Sequence, residues 1–305
     1  MTVTKLIRVS ITVSDLDEAI AFYRDGLGLQ AGPVHSLGDP AWGRLLDLAE
    51  EAGGRGADIA IGTETVKLVA FDPPGKPYPS RRASNDPWFE HLALVAGDME
   101  AVWKRLESAS PGTITEGGPV LLPPNTGSVT AFKFRDPQGH PLELISFPDG
   151  VGDPRWQQGS PAIRGYDHTA IAVSDLARSL AFYEELLGLE KAGQSLNRGS
   201  EQDRLDGLKG CEVDVVALAP TEQRTPHLEL LHYRKPPGPK GKEAMRANDV
   251  TSVRQVYAVE DLDGLVAKLA AANVSFVSPG TVTLQSGRSA AAIHDPDGHM
   301  IVLTE

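Results

Sequence analysis

The chain repeats itself, and the repeat narrows the possible folds more than size or composition does. IRVSITVSDLDEAIAFYRDGLGL, beginning at Ile7, returns as DHTAIAVSDLARSLAFYEELLGL from Asp167. SNDPWFEHLALVAGDMEAVWKRL from Ser84 returns as ANDVTSVRQVYAVEDLDGLVAKL from Ala247, and RDPQGHPLELISF from Arg135 as HDPDGHMIVLTE from His294. Asp15, Asn85 and Asp136 thus recur as Asp175, Asn248 and Asp295, about 160 residues later each time. One duplicated half explains all three matches.

Each half is itself doubled. Four segments run from a strand through an Asp into a helix, at Asp15, Asp98, Asp175 and Asp261. The Asp carboxylate is placed to accept from free N–H groups of the helix's first turn. Apolar residues alternate along the strands: Thr169, Ile171 and Val173 fall on one face, and His168, Ala170 and Ala172 on the other. Leu16, Ala19, Ile20, Tyr23 and Leu27 form one apolar helix face, and Gly26 and Gly28 let the chain leave it. Shorter strands follow, joined late in each half by the tight turns DPQG and DPDG. The unit is therefore one strand, one helix and about three more strands. Its helix covers one sheet face and leaves the other concave. The expected fold is α+β, with four βαβββ modules pairing into two open, cavity-forming, β-barrel-like sheets. Modules are expected at about 1–75 and 84–147, then 166–236 and 247–305. Residues 148–165, rich in Gly and Pro, are expected to link the halves.

Composition restricts function. A net charge of −12 argues against a nucleic-acid partner. No apolar run of about 18 residues is present to span a membrane, and the N-terminus lacks the pattern of a secretory signal. A single cysteine, Cys211, excludes an intrachain disulfide and fits a reducing cytoplasm. A small-molecule substrate is the expected partner; the oligomeric state is open.

The VSDL–AFY–LGL starts and the DPxGHxLEL-type ends resemble the vicinal oxygen chelate superfamily, which includes glyoxalases, epimerases, extradiol dioxygenases and bleomycin-binding proteins. The likeness covers essentially the whole chain. It implies metal ligands at two positions per module, one on the first strand and one on the last. Those positions hold Arg8 and Lys67, then His91 and Glu143, then His168 and Glu229, and finally Arg254 and Val302. The resemblance therefore implies one divalent ion (Fe, Mn, Ni, Co or Zn) on His91, Glu143, His168 and Glu229, provided the second and third modules pair. If modules pair in chain order instead, the same residues would face Arg8, Lys67 and Arg254, and ion pairs would replace metal. Cross-pairing is the more economical reading, since complete ligand pairs survive in the two modules able to share one site. In that case Arg8, Lys67 and Arg254 charge a second cavity, where an anion or internal ion pairs would balance them.

His227, two residues before Glu229, and Tyr166, two before His168, are expected on the cavity face as substrate contacts. Residues 196–208 read as a polar loop over the cavity, with Asn197, Arg204 and Asp206 as further contacts. His140 and His299, beside turn glycines, read as structural. Resemblance to glyoxalases implies that Glu143 or Glu229 moves a proton while the metal stabilises an enolate, giving isomerase, epimerase or lyase chemistry on a small oxygenated compound. An extradiol ring-cleaving dioxygenase and a metal-free binding protein are the alternatives.

Overall fold

The computed structural model describes residues 2–49, 51–80, 82–159, 161–239 and 245–305. The first module contains β1 (Val3–Thr12), α1 (Leu16–Ala21) with a π-helical turn at Phe22–Gly26, and β2 (Gln30–Ala31). It continues through β3 (His35–Ser36), α2 (Ala41–Leu45), β4 (Gly53–Ile61) and β5 (Glu64–Asp72). The second holds β6 (Glu90–Ala96), α3 (Met99–Ser108), β7 (Gly112–Thr113), β8 (Val120–Leu121), β9 (Thr130–Arg135) and β10 (Pro141–Ser146). In the third are β11 (Ile163–Ala172), α4 (Leu176–Leu180) with its own π-helical turn, β12 (Glu190–Arg198), α5 (Ser200–Asp206), β13 (Glu212–Ala219) and β14 (His227–Lys235). The fourth comprises β15 (Val253–Val259), α6 (Leu262–Ala271), β16 (Val282–Thr283), β17 (Ser289–His294) and β18 (Met300–Thr304).

The four aspartates do what their position implies. Asp15, Asp98, Asp175 and Asp261 each accept from the backbone N–H three residues on, at 2.9, 3.0, 3.1 and 2.9 Å. Each satisfies one of the orphan donors at its helix start. After α1 and α4 the chain leaves through Gly28 (φ 75°) and Gly188 (φ 76°), a backbone region that favours glycine.

The described residues form two nine-stranded mixed sheets, and both are open. One joins the first and fourth modules through antiparallel β1 and β15; the other joins the second and third through antiparallel β6 and β11. Pairing in chain order is thereby excluded. The helices bury their apolar faces, including Leu16, Phe22, Val102, Phe182 and Leu265, in one core shared by both sheets. Polar ties repeat across it. Arg105 of α3 donates to the carbonyls of Asp25 and Arg24 at 2.9 and 3.2 Å, and Lys268 of α6 donates to those of Glu185 and Leu186 at 2.6 and 2.9 Å. The opposite face of each sheet is concave and carries its own smaller clusters.

Two expectations change. The stretch 148–165 is more than a linker, because β11 begins inside it at Ile163 and a 3-10 turn, Pro154–Gln157, buries Trp156. Residues 196–208 form the end of β12 and then α5 instead of a loop. Gln202, Leu205 and Asp206 are the buried face of that short helix.

Candidate metal centre

Strands β6 and β11 lie at the centre of the second sheet, with Ala170 opposite His91 and His168 opposite Ala93. Outside them run parallel β10, which sets Glu143 beside Ala93, and parallel β14, which sets Glu229 beside Ala170. With side chains alternating along each strand, His91, Glu143, His168 and Glu229 meet on the concave face. They line a cavity of about 220 Å³, together with His227 and Lys133.

His91 Nε2 lies 2.7 Å from Glu143 Oε2, and His168 Nε2 lies 3.7 Å from the same oxygen. His168 Nε2 is also 3.5 Å from Glu229 Oε2, while His227 Nε2 is 3.6 Å from Glu229 Oε1. Ligand atoms of His91, Glu143 and His168 all fall within 4.8 Å of one another. A second group, Asp167, His168 and His227, meets the same criterion. There, however, His168 Nδ1 faces Asp167 Oδ2 at 2.9 Å, which leaves Nε2 for the first group.

The residues fit a metal. Both ring nitrogens of His91 are buried; Nε2 faces the Glu143 carboxylate at 2.7 Å, and Nδ1 has no hydrogen-bond partner. Imidazole nitrogen and carboxylate oxygen thus converge on one point, as expected of two ligands aimed at a common centre. Imidazole and carboxylate suit a divalent ion of the Mn-to-Zn series. Asp167 gives His168 the carboxylate partner that metal-bound imidazoles commonly have.

Electrostatics separates the four groups. Burial pushes the His91 imidazole down, against the attraction of Glu143. For His168 burial acts in the same direction but is outweighed by Glu229, Asp167 and Glu143, which hold it well above the ordinary imidazole range. Burial would raise Glu143, yet His91, His168 and Lys133 keep it well below the usual carboxylate range. Glu229 is lowered more gently, by His168 and His227 against burial. Its side chain is 21% exposed, against 6% for Glu143, so Glu229 stands nearer the cavity mouth.

Asn197 and His227 line the cavity as expected. Tyr166 does not. A bulge between Tyr166 and His168 interrupts the alternation of β11, so Tyr166 packs in the shared core and its hydroxyl bonds Thr169. Arg204 is exposed on α5, with its Nε donating to the carbonyl of Glu116 at 3.3 Å, so it faces away from the cavity. Asp206 is ion-paired with Lys133 at 2.7 Å and also accepts from Gln202 and Tyr233. It neutralises the cavity's lysine and is not a substrate contact. His140 is structural, held between Asp136 and the carbonyl of Val250 at 2.9 and 2.6 Å.

Sequence reasoning missed Asp167, Trp156 and Lys133. Asp167 takes Trp156 Nε1 on one oxygen and His168 Nδ1 on the other, both at 2.9 Å. An acidic residue immediately before a ligand-position histidine was the available signal, but strict alternation assigns it to the wrong face.

A profile of the Glyoxalase/Bleomycin resistance protein/Dioxygenase superfamily matches residues 5–144 and 165–303. Lactoylglutathione lyase of Arabidopsis thaliana is 27% identical over 187 residues, or 61% of this chain; the chain spans only 55% of that relative's length. A 2-epi-5-epi-valiolone epimerase from an Actinomyces species is 31% identical over 150 residues, covering 47% of this chain and 79% of the epimerase. Among solved structures, glyoxalase I from Zea mays superposes with a TM-score of 0.63 at 18% identity, over 99% of this chain and 92% of its own. At that identity the likeness speaks for the fold.

Proposed function

The chain belongs to the Glyoxalase/Bleomycin resistance protein/Dioxygenase superfamily and carries a metal-dependent enzyme's site; from that premise we propose that it is an isomerase, epimerase or lyase acting on a small oxygenated substrate through an enolate. The observation that carries this reading is the convergence of His91, Glu143 and His168 on one buried point of an otherwise accessible cavity. In the proposed site Glu229 completes the ligand set. The bound ion would supply Lewis acidity, drawing off negative charge as it develops on neighbouring substrate oxygens.

This chain's residues do the rest. Glu143, almost fully buried and held ionised by its neighbours, is suited to remain a ligand. Glu229 is more exposed and less firmly held, and it is the carboxylate proposed to take a proton from substrate carbon and return it. His227, 3.6 Å from Glu229, is placed to hold or pass on that proton. Asn197 would orient a polar substrate group from the β12 side. The names of the two curated relatives, a lyase and an epimerase, favour this class over oxygen chemistry.

Two measurements test the proposal. Elemental analysis of protein purified without chelators is expected to show one metal equivalent per chain, lowered by both Glu143→Gln and Glu229→Gln. Incubation in D2O with a panel of α-hydroxyketones is expected to give deuterium incorporation visible by NMR, reduced about 10²–10⁴-fold in Glu229→Gln. Oxygen uptake with catechols would favour the dioxygenase. Stoichiometric ligand binding indifferent to metal removal would favour the sequestering protein.

A further inference from the structure

The first sheet contains the same four ligand positions with their charge inverted. Its central strands β1 and β15 pair Ser10 with Arg254 and Arg8 with Val256, in the way β11 and β6 pair Ala170 with His91 and His168 with Ala93. Lys67 sits beside Ser10 as Glu229 sits beside Ala170, and Val302 beside Val256 as Glu143 sits beside Ala93. Arg254, Val302, Arg8 and Lys67 therefore replace His91, Glu143, His168 and Glu229. Three cationic groups occupy the concave face where the other sheet gathers metal ligands, and one acid, Asp58, stands opposite Lys67 with its field reaching Lys67 and Arg8.

Internal ion pairs do not account for Arg254. Its side chain is 2% exposed, and Nη1 donates to Thr12 Oγ1, the Ala247 carbonyl and Ser252 Oγ at 2.8, 2.9 and 2.6 Å. Nη2 is buried with no hydrogen-bond partner, as is Arg8 Nε. The acid whose field reaches Arg254 is Glu90, whose own contacts are Gln255 and His299. A buried, unmatched donor on a charged group is costly and calls for an acceptor. Arg254 also lines a small cavity of about 20 Å³ with Lys67, Ser10 and an apolar wall that includes Trp42, Val69 and Phe71.

We propose that this cavity binds the head group of a small monocarboxylate, with Arg254 and Lys67 as its cationic partners. One negative charge and two acceptor oxygens match the Arg254 guanidinium, the Lys67 ammonium and the Ser10 hydroxyl, the polar groups that line the cavity. A phosphate would carry further oxygens against a mostly apolar wall, in which Trp42 is the one lining side chain besides Ser10, Lys67 and Arg254 able to donate. The free space is about 20 Å³, slightly more than one water occupies, so the ligand is no larger than acetate and the apolar wall meets its methyl group. The site stands apart from the metal centre, on the other sheet.

The test is thermal unfolding of the metal-loaded protein in acetate, phosphate or chloride at constant ionic strength. Acetate is expected to raise Tm logarithmically with its concentration, by roughly 2 °C at ten times its Kd. Arg254→Met and Lys67→Met should each abolish that rise. If Arg254→Met does not fold, the half-buried Lys67→Met decides the matter, with calorimetric affinity for acetate expected to fall at least about tenfold. No rise with acetate, an equal rise with chloride, a larger rise with phosphate, or a rise retained in the variants would each overturn the proposal. Retention in the variants would place the anion at the metal centre instead.

Discussion

Replacing Asp167 with Asn should weaken metal binding about 10–100-fold without unfolding the protein. The magnitude follows from the two bonds of Asp167. One oxygen accepts from Trp156 Nε1 and the other from His168 Nδ1, both at 2.9 Å, and the residue is 6% exposed. A carboxylate can only accept, so it fixes the imidazole proton on Nδ1 and leaves the Nε2 lone pair pointing towards Glu143 and Glu229. An asparagine in the same place has one acceptor and one donor. If its oxygen stays with Trp156, its NH2 faces Nδ1 and drives the proton to Nε2, removing the ligand lone pair. If the amide flips, its NH2 faces Trp156 Nε1 instead. With metal on Nε2 the proton is held on Nδ1, so in either orientation a buried donor meets a donor, at a cost of about 1–3 kcal/mol, and each 1.4 kcal/mol is about tenfold in affinity. Competition for Zn²⁺ against a calibrated chelator at fixed pH reads the change. Trp156→Phe leaves the tautomer intact and should cost less than about tenfold by the same reasoning. A folded Asp167→Asn protein with wild-type affinity would falsify the assignment of Asp167 as the group that orients His168.

Three further outcomes are expected. Asp98→Ala removes the cap of α3 and should lower stability by about 1 kcal/mol in urea unfolding; no change would mean that water caps this helix equally well. Burial, reinforced by Asp206 and Asp203, pushes the Cys211 thiol up to about 12. Iodoacetamide at pH 8 should therefore alkylate Cys211 roughly a thousandfold more slowly in the native protein than in denaturant, and comparable rates would refute the shielding. His140 lies between two acceptors, Asp136 and the Val250 carbonyl, and although burial opposes its charge they raise it above the ordinary imidazole value. Because the native state holds this proton more tightly, the stability His140 contributes is complete below about pH 6.5 and is lost as pH rises through the raised value. The stability difference between wild type and His140→Gln should shrink accordingly across urea melts from pH 6 upwards, and a constant difference would refute the charged pair.

The parts of the fold legible in the sequence are those governed by local physics. A capping Asp reaches the N–H three residues on, and so all four caps were readable from spacing alone. The proposed ligand positions were legible as a set because the repeat carries His91 and Glu143 to the same strand sites as His168 and Glu229. Tyr166 was misplaced because one bulged residue reverses every side chain beyond it, and nothing in Gly165–Tyr166–Asp167 announces a bulge. The chain from 196 to 208 is polar in composition, which hid α5, since only Gln202, Leu205 and Asp206 turn inward. Asp206 reads as a substrate contact on a loop over the cavity, and only the fold brings it to Lys133, 73 residues away. Trp156 was overlooked for a similar reason, its Gly- and Pro-rich surroundings suggesting solvent.

Cross-pairing matters because it decides which charges share a cavity. Were the modules paired in chain order, each concave face would mix cationic residues with His and Glu, and internal ion pairs could neutralise both. The observed pairing sorts the signs instead. One face receives two imidazoles and two carboxylates, and the adjoining Lys133 is already matched by Asp206. The other receives two guanidinium groups and an ammonium against the single carboxylate of Asp58, with unmatched buried donors on Arg8 and Arg254. A concave face with a surplus of one sign is costly to bury without a counter-charge. The segregation therefore favours a cation in one sheet and an anion in the other. From the same four strand positions, the duplicated scaffold gains complementary specificities by changing only which side chains stand there.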